Sequence, residues 1–302
     1  MTVNGRLLRG GRDTVPLGGA WTVLHRVAQG GGAPLDSVRT DTRGRYRFRL
    51  SGVDSAAVYV TSASYDGIAY FSLPIAPRGG ASRPVDDLVV FPTTRDGPPI
   101  RVARRLLTAA RPATDGTREV LEILELENTG FTTRVTDDTV VTTWVGALPH
   151  GTVQFQPGQG DISPDAMARR GDSVRVFGPI PPGRGHQLSF GYVIPAGTSP
   201  FVVPIDQPIL ELNLLVEDTT AVVAAPGIES LGVQAIEQRR FAAYRAGPLA
   251  AGATVTIGLP GGAFRPQSLL PYVIALLAAA MASALVWALK RKPSAISRQP
   301  SV

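Results

Sequence analysis

The chain contains no cysteine in its 302 residues. Disulfide scaffolds, thiolate metal sites and cysteine nucleophiles are therefore excluded. The compartment stays open, because a domain of this size needs no disulfide to fold outside the cytoplasm. Histidine is nearly as scarce: His25, His150 and His186 are the only three, and no HxH or HExxH spacing joins them. His25 reads as a surface or hydrogen-bonded strand residue, and His150 and His186 as exposed turn residues. Neither a G-x-S-x-G nor a P-loop spacing occurs, so nucleophile-elbow and phosphate-cradle chemistry have no residues to perform them. Long helical patterns are also missing outside the C-terminal region; 33 Gly and 26 Pro argue for short elements joined by turns.

The basic excess, a pI of 10.0, is unevenly placed. All 24 acidic and 26 of the 30 basic residues precede position 269, which leaves that part at 26 − 24 = +2. The other four charges are Lys290, Arg291, Lys292 and Arg298, and the two lysines among them are the only lysines in the chain. A basic tail, not a broad nucleic-acid surface, accounts for the pI.

Leu269 to Leu289 is 21 residues without a charge. As a helix at ~1.5 Å per residue it would span about 31 Å, close to the roughly 30 Å hydrocarbon core of a bilayer. Tyr272 and Trp287 lie near its ends, where amphipathic rings favour the interface. Leu269–Leu289 is thus expected to be a transmembrane anchor in contact with membrane lipid. Lys290, Arg291 and Lys292 follow it, and only Arg265 stands close before it, so the positive-inside bias places 290–302 in the cytoplasm as a basic tail and the bulk of the chain outside, in the periplasm. The opening MTVNGRLLRGGRDTVPLGG carries no apolar signal core. Either the true start lies upstream of Met1, or the protein is tail-anchored with its large part cytoplasmic. The charge bias and the domain type favour the first.

The rest reads as all-β: two β-sandwich domains, 1–95 and 96–265, followed by the C-terminal transmembrane helix. In the first, strands are expected at Thr2–Leu8, Ala20–Val27, Arg45–Leu50, Ala57–Ser62, Ile68–Leu73 and Leu88–Phe91, with turns at Gly18-Gly19, Gly30-Gly31-Gly32 and Asp66-Gly67. TTRDGPP, Thr93 to Pro99, reads as a linker. In the second, strands are expected at Arg101–Ala109, Glu119–Glu127, Thr139–Val145, Ser173–Phe177, Gln187–Ile194, Ile209–Val216 and Thr254–Leu259, with a short helical turn at Pro164–Arg170. The run EVLEILELEN also suits a helix, since Leu121 and Leu124 share a face with glutamates spaced by three.

In VRTDTRGRYRFRL, Val38 to Leu50, Arg45, Arg47 and Arg49 alternate with Tyr46, Phe48 and Leu50, so arginines and aromatics face opposite sides of one strand. The aromatics superficially echo a base-stacking strand of RNA-recognition modules, but such a module needs two helices behind its sheet, and core aromatics cannot also stack bases. No nucleic acid is expected as a partner. With GRLLRGG, VPLGGAWTVLH and AVYVTSASYDGIAYFS, this stretch resembles the carboxypeptidase regulatory-like domain, a transthyretin-type sandwich, over roughly residues 2–75. Gly5, Pro16, Leu17, Gly19, Ala20, Val23, Leu24, Thr40, Asp41, Gly44, Tyr46 and Phe48 fall on its pattern. Arg39 departs from it, where the family usually has a small hydroxyl residue. The resemblance implies a carbohydrate-binding-like accessory module of exported or membrane-bound bacterial proteins, some relatives of which bind carbohydrate or protein, and it implies no peptidase activity. The second half more weakly resembles the β-rich ectodomain that follows such modules in membrane-anchored bacterial proteins.

Two carboxylate groups invite chemistry. DISPDAMARRGD places Asp161, Ser163, Asp165 and Asp172 at calcium-loop spacing, but Ala166 stands where an EF-hand requires glycine. Glu119, Glu122, Glu125 and Glu127 read as the wet face of a strand. No catalytic residue, metal or cofactor is expected. The expected function is a non-catalytic, single-pass, membrane-anchored protein that binds a protein or carbohydrate through its sandwiches. The alternative is an accessory or assembly subunit of a membrane-bound enzyme complex. Arg45, Arg47 and Arg49 read first as a solvated strand face, and as the candidate contacts if the protein has an anionic partner.

Overall fold

A computed structural model describes residues 1–28, 31–77, 82–136 and 140–259, with the backbone alone at 82–84. Leu269, Tyr272, Trp287, Leu289, Lys290, Arg291 and Lys292, the residues of the expected anchor and its basic stop, lie outside them. Among the described residues no helix is long and apolar enough to cross a membrane.

The alternation of Arg45–Arg49 is the key to the N-terminal sheets. Tyr46 is 4 % and Phe48 1 % exposed, while the three arginines between and beside them face water. This strand pairs antiparallel with Thr2–Arg9, setting Gly5 opposite Tyr46 and Arg6 opposite Arg45. Thr2–Arg9 in turn pairs parallel with Ser82–Pro84 and Leu88–Val90. A second, antiparallel sheet runs in the order Gly31–Arg39, Trp21–Ala28, Val58–Tyr65, Ile68–Phe71. Val3, Leu24, Tyr46, Phe48, Tyr59 and Ile75 fill the space between the sheets in a sandwich-like layer. The Tyr46 hydroxyl reaches Thr61 Oγ1 at 3.0 Å, tying one sheet to the other. Gly5 is needed beneath that ring: a Cβ there would lie 2.3 Å from the tyrosine oxygen. The turn feeding the strand is as expected, with Asp41 Oδ1 accepting the N–H groups of Arg43 and Arg45, both at 2.8 Å, and Gly44 at φ +74°.

Two expectations change here. Gly31–Arg39 forms a nine-residue strand where only a turn at the glycines was expected. As an edge strand it is exposed almost throughout, so it lacks the alternation that reveals a half-buried strand and tolerates Pro34. The segment expected as a linker is held from both sides. Thr93 donates its N–H and hydroxyl to Asp66 Oδ2 at 2.8 and 2.6 Å, and Thr93–Thr94 pairs parallel with Thr133–Arg134.

The remaining strands are organised around a seven-stranded sheet, in the order Val153–Pro157, Gly183–Ile194, Arg118–Asn128, Arg101–Ala109, Ile209–Val216, Arg239–Ala246, Glu229–Ile236. Two three-stranded sheets share its core: Trp144–Ala147 with Ser173–Val176 and Met167–Arg169, and Phe201–Pro204 with Thr254–Gly258 and Val222–Ala224. EVLEILELEN is a strand; Val120, Leu124 and Leu126 point into the core while Glu119 and Leu121 point out. The expected helical turn shrinks to a 3-10 turn at Pro164–Ala166 and leads directly into a strand. Residues 1–259 form one compact unit, all-β apart from that turn among the described residues, with separate hydrophobic clusters on either side of the Thr93–Pro99 segment.

Candidate functional site

Register places the outward side chains of Thr2–Arg9 and Arg45–Arg49 side by side, so Asn4 stands next to Arg47 and Arg6 next to Arg45. The end of the Gly31–Arg39 strand and the segment around Val85–Asp87 line the same open groove, of about 700 Å³. Four guanidinium-bearing residues, Arg6, Arg39, Arg45 and Arg47, line it together with Asp41 and Asp87, a balance of 4 − 2 = +2.

Most of these groups are already positioned. Arg6 makes a two-pronged pair with Asp87, Nε to Oδ1 at 3.0 Å and Nη2 to Oδ2 at 2.5 Å. Arg47 Nε donates to Asn4 Oδ1 at 2.8 Å. The Arg39 guanidinium lies 4.9 Å above the Trp21 ring, a cation–π contact that holds it at the rim. The Asp41 carboxylate is committed to the turn, and the Arg45 and Arg43 N–H groups it accepts keep its pKa below the usual carboxylate value. The Arg45 guanidinium is exposed and, among the described residues, makes no side-chain hydrogen bond; it acts on the neighbouring Asp41 through charge alone. Arg49 projects from the same face opposite Thr2, and the groove does not include it. Of the three candidate arginines, then, two line the groove; the other two in it, Arg6 and Arg39, come from different strands and carry no signal in the Arg45–Arg49 alternation.

The histidines do not converge. His25 Nε2 is hydrogen-bonded to Ser62 Oγ at 2.7 Å, and exposed His150 reaches Asp172 Oδ2 at 2.7 Å. His186 departs from the expected exposure: it is half-buried, its Nε2 is enclosed without a hydrogen-bond partner, and burial lowers its pKa. The calcium-spaced loop is dispersed among separate tasks. Asp161 accepts the Gln187 N–H at 2.9 Å, Ser163 caps the 3-10 turn, and Asp172 faces His150.

Glu122 overturns the wet-face reading of the glutamates. It is fully buried, and buried Arg105 grips it with Nε to Oε2 at 2.7 Å and Nη2 to Oε1 at 3.0 Å. Tyr192 donates its hydroxyl to the same carboxylate at 2.6 Å, and Arg105 Nη1 reaches the Pro204 carbonyl at 3.1 Å. Burial, with Glu122 alongside, pushes the Tyr192 pKa well above its usual value, so the phenol remains a donor. These four bonds, made by buried side chains, pin the large sheet to the Phe201–Pro204 strand.

No protein-family model matches the chain, and no curated protein matches it. Solved structures give distant likenesses. The M1 zinc metallopeptidase of Deinococcus radiodurans is 12% identical, covering 53% of this chain and 42% of that one, at a TM-score of 0.34. The major pilin subunit BcpA of Bacillus cereus is 11% identical, covering 86% and 85%, at 0.22. The yeast delta-COP-I mu-homology domain is 12% identical, covering 54% and 76%, at 0.17. This chain thus spans less than half the length of the peptidase it matches. Overlaps this loose carry no argument about activity.

Proposed function

We propose that the protein is a non-catalytic binding protein held at the membrane by a C-terminal span, with two sandwich domains outside the cytoplasm and a basic tail inside. The carbohydrate-binding-like, carboxypeptidase regulatory-like character of the N-terminal domain belongs to the same reading. The observation that carries it is the groove: Arg39 and Arg47 are held ready by Trp21 and Asn4, and Arg45 presents an exposed guanidinium beside them, an arrangement that suits recognition of an anion. The charge-free run from Leu269 to Leu289 and the basic stop after it supply the anchor and its direction.

Protease added to intact spheroplasts tests the display. The large part should be degraded and a fragment with the anchor and tail should survive, whereas full protection would put the β-rich part in the cytoplasm. Purification from detergent separates the two classes of function. A full chain that migrates alone supports a binding protein in its own right, and obligate co-migration with a membrane enzyme would make it an accessory subunit.

A further inference from the structure

We infer that the groove between Arg39 and Asp87 binds a carboxylate-bearing oligosaccharide, a chain of sugar acids. This rests on the binding-protein reading above and names its ligand class.

The lining presents two kinds of group. Arg45 and Arg47 offer guanidinium forks, which match the planar geometry of a carboxylate. Asn4, Asp41 and Asp87 lie among them, and Asp41 Oδ2, outside its turn bonds, and the Asp87 carboxylate can each accept a further hydroxyl. A ligand carrying only negative charge would meet two carboxylates in this space, whereas a sugar acid gives its hydroxyls to those acceptors and its carboxylate to the arginines. Val38 and Val85 add apolar wall for the C–H faces of a sugar ring. The shape agrees with this class. The site is an open recess of about 700 Å³, room for more than a single sugar ring, and a bilayer surface would favour a protruding basic patch over a recess. Arg47 is pre-positioned by Asn4, so less freedom is lost when it engages a carboxylate. The Arg45 guanidinium is exposed and, among the described residues, makes no side-chain hydrogen bond that a ligand would have to break, its neighbour Asp41 acting on it only through charge.

The test is calorimetric titration of the full chain in neutral detergent with oligogalacturonate. Methyl-esterified oligogalacturonate, polyaspartate and phosphatidylglycerol vesicles serve as comparisons. Oligogalacturonate should bind, more weakly as salt rises. The uncharged ester should lose most of that affinity, and polyaspartate, which has carboxylates but no sugar hydroxyls, should bind far less well. Arg45→Gln and Arg47→Gln should each weaken binding about tenfold, the scale of one charge-assisted hydrogen bond. Arg49→Gln, equally charged and on the same face but outside the groove, should leave affinity unchanged; matched thermal melts of the three variants exclude misfolding. The inference is overturned if oligogalacturonate does not bind, if Arg49→Gln weakens it as much as Arg45→Gln, or if polyaspartate binds equally well. Equal or tighter binding to the vesicles would instead assign the arginines to lipid headgroups. The assay involves no membrane orientation, so its outcome is separate from that of the spheroplast experiment.

Discussion

Tyr46 packs against Phe48 with ring centroids 5.7 Å apart and sends its hydroxyl across to Thr61, so its truncation removes ring contacts and strands a buried hydroxyl. Tyr46→Ala or Phe48→Ala should cost roughly 3–5 kcal/mol in chemical denaturation. Arg45→Gln, one residue away but facing water, should stay within about 0.5 kcal/mol. A reversed ranking would mean the strand is turned over. Glu217 gives a second residue-scale test. Its side chain is 2 % exposed and held by Arg239 and Arg111, and chiefly the Arg239 hydrogen bond brings its pKa from 4.5 down to about 2. A carboxylate with a lowered folded-state pKa contributes stability that is complete above the unfolded value and is lost as pH falls through the folded one. Denaturation midpoints should therefore decline between pH 4.5 and about 2, and Glu217→Gln should flatten that decline. An identical slope in the variant would show that Glu217 does not drive it.

At the scale of the element, the Arg118–Asn128 strand carries carboxylates of opposite fate three residues apart. Glu122 is sealed with Arg105 on the inner face. Glu125 faces outward in a chain of charges across four strands, with Arg104 Nη1 at 3.1 Å, Arg104 Nε 3.8 Å from Glu211, and Arg245 Nη2 3.1 Å from Glu211. Glu122→Gln leaves Arg105 buried without its counter-charge and should cost about 3–5 kcal/mol. Glu125→Gln removes a solvated pair and should cost less than about 1 kcal/mol. Equal losses in urea denaturation would refute the assignment of faces. This strand also shows what sequence can and cannot disclose. Period-two alternation was legible in Arg45–Arg49, and apolar runs marked Arg101–Ala109 and Ile209–Val216 to the residue, because central strands must bury a face. The strands Gly31–Arg39 and Glu229–Ile236 are exposed on nearly every residue and left no such pattern. The burial of Glu122 was hidden because its partners, Arg105 and Tyr192, come from other strands and meet it only through cross-strand register. The groove was half legible for the same reason: Arg45 and Arg47 share one strand, but Arg6 and Arg39 join them only through pairing and packing.

At the scale of the whole molecule, the proposed function depends on which side of a membrane the groove faces. A ligand of the cell surface can reach Arg39, Arg45 and Arg47 only if the β-rich part is displayed outside. That display is the central claim, and the absence of cysteine makes it accessible to a clean chemical test, since one introduced thiol is the only site a maleimide can label. Ser51→Cys places it on the exposed turn after the Arg45–Arg49 strand, and Ser294→Cys places it in the basic tail. A membrane-impermeant maleimide should label Ser51→Cys in intact spheroplasts and reach Ser294→Cys only after lysis. Labelling of Ser294→Cys in intact cells, with Ser51→Cys protected until lysis, would contradict the account.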